Sequence, residues 1–220
     1  MSAPIRVLLV DDHALVRDAL AEHLSKVEDI EVVGCAKDAE EATLLSTDLR
    51  PDVLLMDIDM PGIICFDAAR RIMATCPSTR IVFLSAFFHD HYIEQALAVQ
   101  ARGYITKSEP PERVVSAIRE VAAGGSCYSE EIRSRLVMGH GGVFLAREGK
   151  GPTRASTLTP REIEVLRYIA RGLPKKDIAR TMHISTKTVE NHSANIMTKL
   201  DIHDRVELAR YAIREGLAEA

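Results

Sequence analysis

The sequence predicts an α/β protein: a doubly wound, five-stranded parallel (βα)5 domain followed by an all-α four-helix domain that contains a helix-turn-helix. Short apolar runs alternate with amphipathic stretches over the first half of the chain. Strict alternation of strands and helices is typical of a parallel sheet covered on both faces. The last third has only helical patterns, and a short helix, a tight turn and a longer helix have the proportions of a helix-turn-helix.

Turn-forming glycines and prolines divide the first half into elements. The predicted strands are short apolar runs, namely Ile5–Val10, Ile30–Ala36, Val53–Met56, Arg80–Leu84 and Gly103–Ile105. The predicted helices repeat apolar residues at helical spacing, namely Ala14–Ser25, Ala39–Leu49, Phe66–Thr75, Asp90–Val99 and Pro111–Ala123. Gly124 and Gly125 end the last helix, so the first domain is predicted to cover residues 1–124.

The middle of the chain is a predicted linker. Residues 125–157 contain a short predicted helix near Ser129–Val137, and then the least periodic part of the sequence. That part has five glycines and Pro152, a composition typical of segments that join domains. Residues 158–220 are therefore the predicted second domain.

The second domain begins with a well-marked helix. Thr159 and Glu162 form a T-x-x-E capping box, with Pro160 at the first helical position. Gly172 supplies the C-terminal stop. The helices predicted after it are Lys175–Met182, a helix capped by Ser185 that reaches Leu200, and Arg205–Glu215.

Charge is distributed unevenly between the two halves. Residues 1–137 carry 14 Lys and Arg against 22 Asp and Glu, a net charge of −8, whereas residues 158–220 carry 11 against 9, a net charge of +2. An acidic first half and a mildly basic second half are expected where only the second approaches a polyanion.

Composition also bears on location and on the cysteines. No apolar stretch approaches the length of a membrane span and no signal-peptide pattern is present, so we expect a cytoplasmic protein without membrane association. The cysteines lack the spacing of a metal finger or a redox motif, and we expect them to be small buried side chains in a reducing compartment: Cys35, Cys65, Cys76 and Cys127.

Acidic residues follow two of the predicted strands. Asp11 and Asp12 come after the first strand, and Asp57 comes after the third. In open α/β sheets, sites are built at the C-terminal ends of the strands. Three carboxylates there repel one another, and oxygen ligands of this kind suit Mg²⁺. Lys107, after Gly103–Ile105, can add a positive charge, so the sequence predicts a magnesium site that handles phosphate.

The first domain resembles the receiver domain of bacterial response regulators, through these residues: Asp11-Asp12, Asp57-Ile58-Asp59-Met60-Pro61-Gly62, Ser85 and Tyr104-Ile105-Thr106-Lys107. Residues 158–220 resemble the LuxR/NarL/FixJ-type helix-turn-helix effector. The chain is thus similar to two-component response regulators of the NarL/FixJ family. The resemblance implies a phosphorylation-controlled transcription regulator, not an enzyme. It also implies a sensor histidine kinase and promoter DNA as partners, and a homodimer on phosphorylation or DNA binding.

The resemblance assigns roles around the acidic residues. Asp57 would be the phosphoacceptor, since a carboxylate can act as a nucleophile and form an acyl phosphate. Asp11, Asp12 and Asp57 would hold Mg²⁺, with the backbone carbonyl of Asp59 as a further ligand. Lys107 would offset charge on the transferring phosphoryl group.

The resemblance also assigns a conformational switch to two residues. At three other positions the sequence departs from the family pattern. The Ser85 hydroxyl would bond the new phosphoryl oxygens, and the Tyr104 ring would turn inward. Tyr104 could also be a half-buried strand aromatic. Cys65 replaces a glycine and would be strained if that position needs a positive φ. Pro174 replaces a serine cap, and Glu190 replaces a residue that is commonly basic.

The helix between Ser185 and Leu200 is the predicted DNA-reading helix. At roughly 100° per residue, Val189, Ile196 and Leu200 share one face, with Ser193 among them. The opposite face has short and amide side chains, which suit a major groove, or else it is simply solvated. The predicted base-facing residues are Lys187, Glu190, Asn191, Ala194, Asn195 and Thr198. The predicted phosphate contacts are Lys175, Lys176, Thr188 and Lys199.

Three alternatives remain at this point. Aspartates at strand ends can merely cap helices or stay solvated. Asp57-Ile58-Asp59 is also a D-x-D motif, which resembles that of haloacid-dehalogenase-like phosphatases, although those carry it on the first strand. Finally, the chain could be a DNA-binding regulator whose receiver is a protein-interaction module that phosphorylation does not control.

Overall fold

A computed structural model of the protein describes residues 3–58, 60, 65–86, 90–139, 142–146, 154–215 and 217–218. The chain divides into two units, Met1–Ala146 and Arg147–Ala220. Within the described residues, no helix has the length and apolar character needed to cross a membrane.

One parallel sheet organises the first unit. Its strands, as far as the structure describes the chain, are β1 Ile5–Val10, β2 Ile30–Ala36, β3 Val53–Asp57, β4 Arg80–Ser85, β5 Gly103–Thr106 and β6 Cys127–Tyr128, in the order β2-β1-β3-β4-β5-β6. The five predicted strands are confirmed. The sequence analysis missed β6, because a two-residue strand has no periodicity to detect.

Helices cover both faces of the sheet, as predicted. They are α1 Ala14–Ser25, α2 Ala39–Leu49, α3 Cys65–Thr75, α4 Asp90–Ala98 and α5 Pro111–Ala122. On one face, Leu24 of α1 and Ile118 of α5 pack into a core with alternate strand residues such as Leu55. On the other face, the ring of Phe66 on α3 lies 4.9 Å from that of Phe83 on β4 and 6.4 Å from that of Tyr92 on α4.

The segment after α5 differs from the prediction. The helix expected near Ser129–Val137 is only the short α6, Glu130–Arg133, and two antiparallel strands follow, β7 Leu136–Gly139 and β8 Gly142–Leu145. Valine and phenylalanine favour strands, and β8 packs against α4. Tertiary contact therefore decides a stretch that the sequence analysis assigned to the linker.

The second unit contains a 3-10 turn, Arg154–Thr157, and then the helices α7 Pro160–Ala170, α8 Lys175–Thr181, α9 Thr186–Leu200 and α10 Arg205–Arg214. Both hydrogen bonds of the predicted capping box are present in α7. Gly172 ends that helix with a φ of 79°. The turn between α8 and α9 uses His183, whose φ of 52° lies in the left-handed region.

The cysteine prediction is partly wrong. Cys65, Cys76 and Cys127 are buried, but Cys35 is exposed on β2, which is an edge strand. The backbone strain considered for Cys65 is also absent. Among the described residues other than glycine, φ is positive at Arg50, Gln100, His183 and Asp201, so Cys65 starts α3 in a conformation that suits its side chain.

Candidate functional site

The ends of three neighbouring strands place three of the predicted residues of the first unit. Asp57 ends β3 and Ser85 ends β4, while Lys107 follows β5 directly. The backbone N–H of Ile58 donates to the carbonyl of Leu84 at 3.0 Å, and that of Lys107 donates to Ser85 at 2.8 Å. These bonds continue the ladder one residue past the strands and align their C-terminal ends.

An acidic cluster lies at this edge. Asp11, Asp12, His13 and Asp57 each offer one ligand atom, and these atoms lie within 4.8 Å of one another. Asp57 is fully buried and Asp11 is 4 % exposed. Three carboxylates and an imidazole at this spacing can hold a divalent cation, and the predominance of oxygen suits a hard ion. The predicted carbonyl ligand, Asp59, lies outside the described residues.

Lys107 joins two of the carboxylates. Its ammonium lies 2.8 Å from Oδ2 of Asp11 and 3.0 Å from Oδ2 of Asp57. Burial lowers the pKa of Lys107, but the charges and hydrogen bonds of Asp57 and Asp11 outweigh it, and the net pKa is raised. The lysine therefore keeps its positive charge at neutral pH and offsets the buried negative charge of Asp57.

The structure adds two residues that the sequence analysis missed. His13 places Nδ1 3.1 Å from Oδ1 of Asp12 and 3.4 Å from Oδ1 of Asp11. Arg17 donates from Nη1 to the backbone carbonyl of Asp11 at 2.8 Å. The signal in the sequence was only their position, since His13 follows the acidic pair directly and Arg17 follows His13 by one helical turn.

The predicted switch residues share one face of the sheet. Phe83 pairs with Tyr104 and Ser85 pairs with Thr106 in adjacent parallel strands, and alternation puts all four side chains on the same side. Ser85 and Tyr104 are both fully buried. The tyrosine ring is thus wholly interior in this structure, and the half-buried alternative is wrong.

The predicted reading helix presents the expected faces. Ser185 caps α9 by accepting the N–H of Thr188 at 3.0 Å. Val189, Ser193, Ile196 and Leu200 are buried, which confirms the predicted inner face. The residues predicted to face bases are exposed, with Glu190 partly so, namely Lys187, Asn191, Ala194, Asn195 and Thr198.

The predicted phosphate contacts fall into two groups. Lys175 and Lys176 are exposed at the start of α8, which Pro174 begins without a side-chain cap. The Lys199 ammonium instead lies 2.6 Å from Oε2 of Glu162, a carboxylate that is buried. Lys199 thus forms an ion pair within its own unit.

Glu190 lies between two of the lysines. Its carboxylate oxygens are 3.7 Å from the ammonium of Lys175 and 3.7 Å from that of Lys187. All three side chains are between 43 % and 78 % exposed, so each contact is weak in water. The arrangement nevertheless places a negative charge between two positive ones.

Each half of the chain matches a known protein family. A family model described as response regulator receiver domain matches residues 7–119, and one described as bacterial regulatory proteins, luxR family, matches residues 156–212. Both models describe regulators, and neither describes an enzyme.

Curated relatives extend over the whole chain. The transcriptional regulatory protein LiaR of Bacillus subtilis is 35 % identical over 213 residues, which is 97 % of this chain and 99 % of LiaR. The oxygen regulatory protein NreC of Staphylococcus epidermidis is 35 % identical over 224 residues, covering 98 % of this chain and 100 % of NreC.

Solved structures show the same architecture. A LuxR-family two-component response regulator from Aurantimonas sp. is 32 % identical, with a TM-score of 0.57 over 60 % of this chain and 94 % of that one. RcsB of Salmonella enterica bound to a promoter gives a TM-score of 0.64 over 94 % of this chain and 97 % of RcsB, at 24 % identity, which bears on the fold alone. With both domains matched in order, the chain belongs to the NarL/FixJ family of two-component response regulators, which join a receiver domain to a LuxR-type helix-turn-helix domain and regulate transcription.

Proposed function

We propose that the protein is a transcription regulator whose binding to promoter DNA through α9 is controlled by phosphorylation of Asp57. The observation that supports this most directly is the ion pair between Lys107 and the fully buried Asp57 inside the acidic cluster. A buried carboxylate that ends a strand, beside a fixed positive charge and other carboxylates, is suited to accept a phosphoryl group.

The chemical step is a transfer to a carboxylate oxygen. An oxygen of Asp57 attacks phosphorus of a phosphohistidine on a sensor kinase, the P–N bond breaks, and the leaving imidazole takes a proton. Lys107, 3.0 Å from Asp57 Oδ2, offsets the negative charge that gathers on the phosphoryl oxygens. Asp11, Asp12 and Asp57 would hold Mg²⁺, which when bound supplies further positive charge at the same oxygens.

The resulting acyl phosphate changes the end of β4. The Ser85 hydroxyl lies on the strand beside β3, one residue past the Leu84 that pairs with Asp57, and it can donate to a phosphoryl oxygen. Tyr104, paired with Phe83 on the same face, responds to displacement of this strand end. A local charge event is thereby converted into a packing change.

The output is binding of double-stranded DNA. The exposed face of α9 would enter the major groove, where Asn191 and Asn195 can pair with adenine and Lys187 with guanine. Lys175, Lys176 and Thr188 would contact phosphates and set the register. The match of residues 156–212 to the luxR family of bacterial regulatory proteins supports DNA as the partner. We further propose a cytoplasmic protein that forms a homodimer on paired half-sites.

One experiment separates this proposal from the alternative in which the receiver is only a protein-interaction module. The purified protein is incubated with acetyl phosphate and MgCl2, and its intact mass is measured. We expect one added phosphoryl group in the wild type and none in Asp57→Asn, with a tighter promoter complex for the phosphorylated wild type alone. A wild-type mass that does not change supports the interaction module.

A further inference from the structure

Asp11 is held at each of its polar groups. Its N–H donates to the carbonyl of Ala36 at 3.1 Å, and its Oδ1 accepts the N–H of His13 at 2.8 Å. Its Oδ2 accepts the Lys107 ammonium at 2.8 Å, and its backbone carbonyl accepts Nη1 of Arg17, also at 2.8 Å. Three of these bonds are explained by the sheet, the turn and the charge pair. The bond from Arg17 has no such role.

Arg17 reaches backwards from α1 to the loop that carries the acidic pair. Its backbone N–H belongs to the first turn of the helix and donates to His13 at 3.0 Å. His13 is the N-cap of α1, and its side chain makes no capping hydrogen bond. The loop at residues 11–13 therefore has no local side-chain cap to hold it against the helix, and the partly buried Arg17 guanidinium supplies that connection.

The charge of Arg17 also lies near the end of β2. Partial burial of the Cys35 thiol raises its pKa, and the nearby charge of Arg17 opposes that increase. Cys35 and Ala36 end β2, and Ala36 is the residue that bonds the Asp11 N–H. Arg17 thus bonds the loop residue, Asp11, that is itself bonded to the end of β2.

We propose that Arg17 is a positioning residue of the acidic site: it fixes the loop so that Asp11 and Asp12 present their carboxylates to a divalent cation. The inference deepens the proposed function and rests on it. Arg17 bonds the backbone of Asp11 and leaves the carboxylate oxygens available as ligands. Groups that orient metal ligands in this way typically change metal affinity by about 10–100-fold when they are removed.

The charge of Arg17 and its hydrogen bond have opposite effects on the affinity of the site for Mg²⁺. A cation near the site repels Mg²⁺, so loss of the charge alone would tighten metal binding. The guanidinium is partly exposed and therefore screened, whereas its hydrogen bond acts on the loop directly. The sign of the change on substitution consequently distinguishes positioning from electrostatics.

The test uses the full-length protein labelled with ¹⁵N and titrated with MgCl2, with dissociation constants taken from amide shifts near His13. We expect Arg17→Ala to weaken Mg²⁺ binding about tenfold, and Arg17→Lys, which keeps the charge and one donor, to restore part of the loss. The matched control is Arg119→Ala, which removes an exposed arginine paired with Asp29; Asp29 follows the C-terminal end of α1, whereas the acidic loop precedes its N-terminal end. This control should bind Mg²⁺ like the wild type.

The rate of phosphorylation by acetyl phosphate is then measured for the same variants. At saturating MgCl2, Arg17→Ala should approach the wild-type rate, because a positioning defect in the metal site is overcome by metal concentration. Unchanged or tighter Mg²⁺ binding in Arg17→Ala, or an equal loss in Arg119→Ala, overturns the inference while the proposed function stands. A wild type that neither binds Mg²⁺ nor takes up a phosphoryl group overturns both.

Discussion

The Lys199 ammonium, at the end of α9, lies 2.6 Å from Oε2 of Glu162, at the start of α7. The same oxygen accepts the backbone N–H of Thr159 at 2.7 Å. Glu162 is only 2 % exposed. The capping box of one helix is therefore joined to the last turn of the reading helix by Lys199, a residue that the sequence analysis predicts to contact DNA phosphates.

The first prediction follows from this pair. Burial would raise the pKa of Glu162, but hydrogen bonds from Lys199 and Thr159 outweigh it and hold the pKa below its usual range. Glu162→Gln leaves the Lys199 ammonium without its partner, and we expect the free energy of unfolding of the second unit to fall by about 1–3 kcal/mol at neutral pH. Urea unfolding followed by circular dichroism measures this change.

The pH dependence of the same variant has a definite sign. Because the folded pKa is lowered, the stabilisation by ionised Glu162 is present above the ordinary glutamate pKa of about 4.3 and is lost as pH falls through the folded value. The difference between the wild type and Glu162→Gln should therefore shrink in acid. A difference that is the same at pH 7 and at pH 3 contradicts the assignment.

The second prediction concerns the acidic cluster. Asp12→Ala should abolish phosphorylation by acetyl phosphate, because it removes one of the proposed Mg²⁺ ligands. The same change should leave the metal-free fold intact or stabilise it, since it removes one of several mutually repelling carboxylates. Thermal unfolding without metal measures the stability of the variant. Its intact mass after incubation with acetyl phosphate measures phosphorylation. Undiminished phosphorylation of Asp12→Ala would rule out its role as a ligand.

The third prediction separates the two units. A fragment of residues 153–220 keeps Arg154, which donates to the carbonyl of Leu200 at 2.8 Å, and it keeps the core of the second unit. We expect this fragment to fold and to bind promoter DNA. If the unphosphorylated receiver covers the reading helix, the fragment binds more tightly than the whole unphosphorylated chain. Equal affinities in a gel-shift titration argue against such occlusion.

The fourth prediction concerns Glu190, which the structure places 3.7 Å from both Lys175 and Lys187. A carboxylate there offsets the charge of one candidate phosphate contact, Lys175, and one candidate base contact, Lys187, and it can also accept a hydrogen bond from cytosine N4. Glu190→Gln and Glu190→Lys should raise non-specific affinity, and the lysine variant should steepen the dependence on salt. The preference at one cytosine-bearing position should relax by roughly 1–3 kcal/mol.

Selection of binding sites from random DNA tests the base contact, with Lys176→Ala as the control. Lys176 is an exposed neighbour on α8 and a proposed phosphate contact, so its removal should lower affinity evenly across sequences. If both Glu190 variants keep the wild-type preference at every position and change affinity alone, Glu190 does not read a base.

Much of the architecture was predicted from the spacing of apolar residues and from the glycines and prolines that form turns. The five main strands, the helices between them and the capping box are encoded by neighbours within a few residues, and the structure has them within one or two residues of the predicted bounds. Asp11, Asp12, Asp57 and Lys107 could be brought together from sequence because parallel strands end at the same edge of a sheet. The inner face of α9 was equally predictable from its spacing.

What the tertiary structure alone decided is the set of contacts between residues far apart in the chain. The hairpin of β7 and β8 forms against α4, Tyr104 is wholly buried, and Lys199 pairs with Glu162. Cys35 is exposed because β2 lies at the edge of the sheet. None of these contacts depends on local spacing. Each depends on which distant residues the packed fold brings together, and the local pattern of a sequence does not specify those pairs.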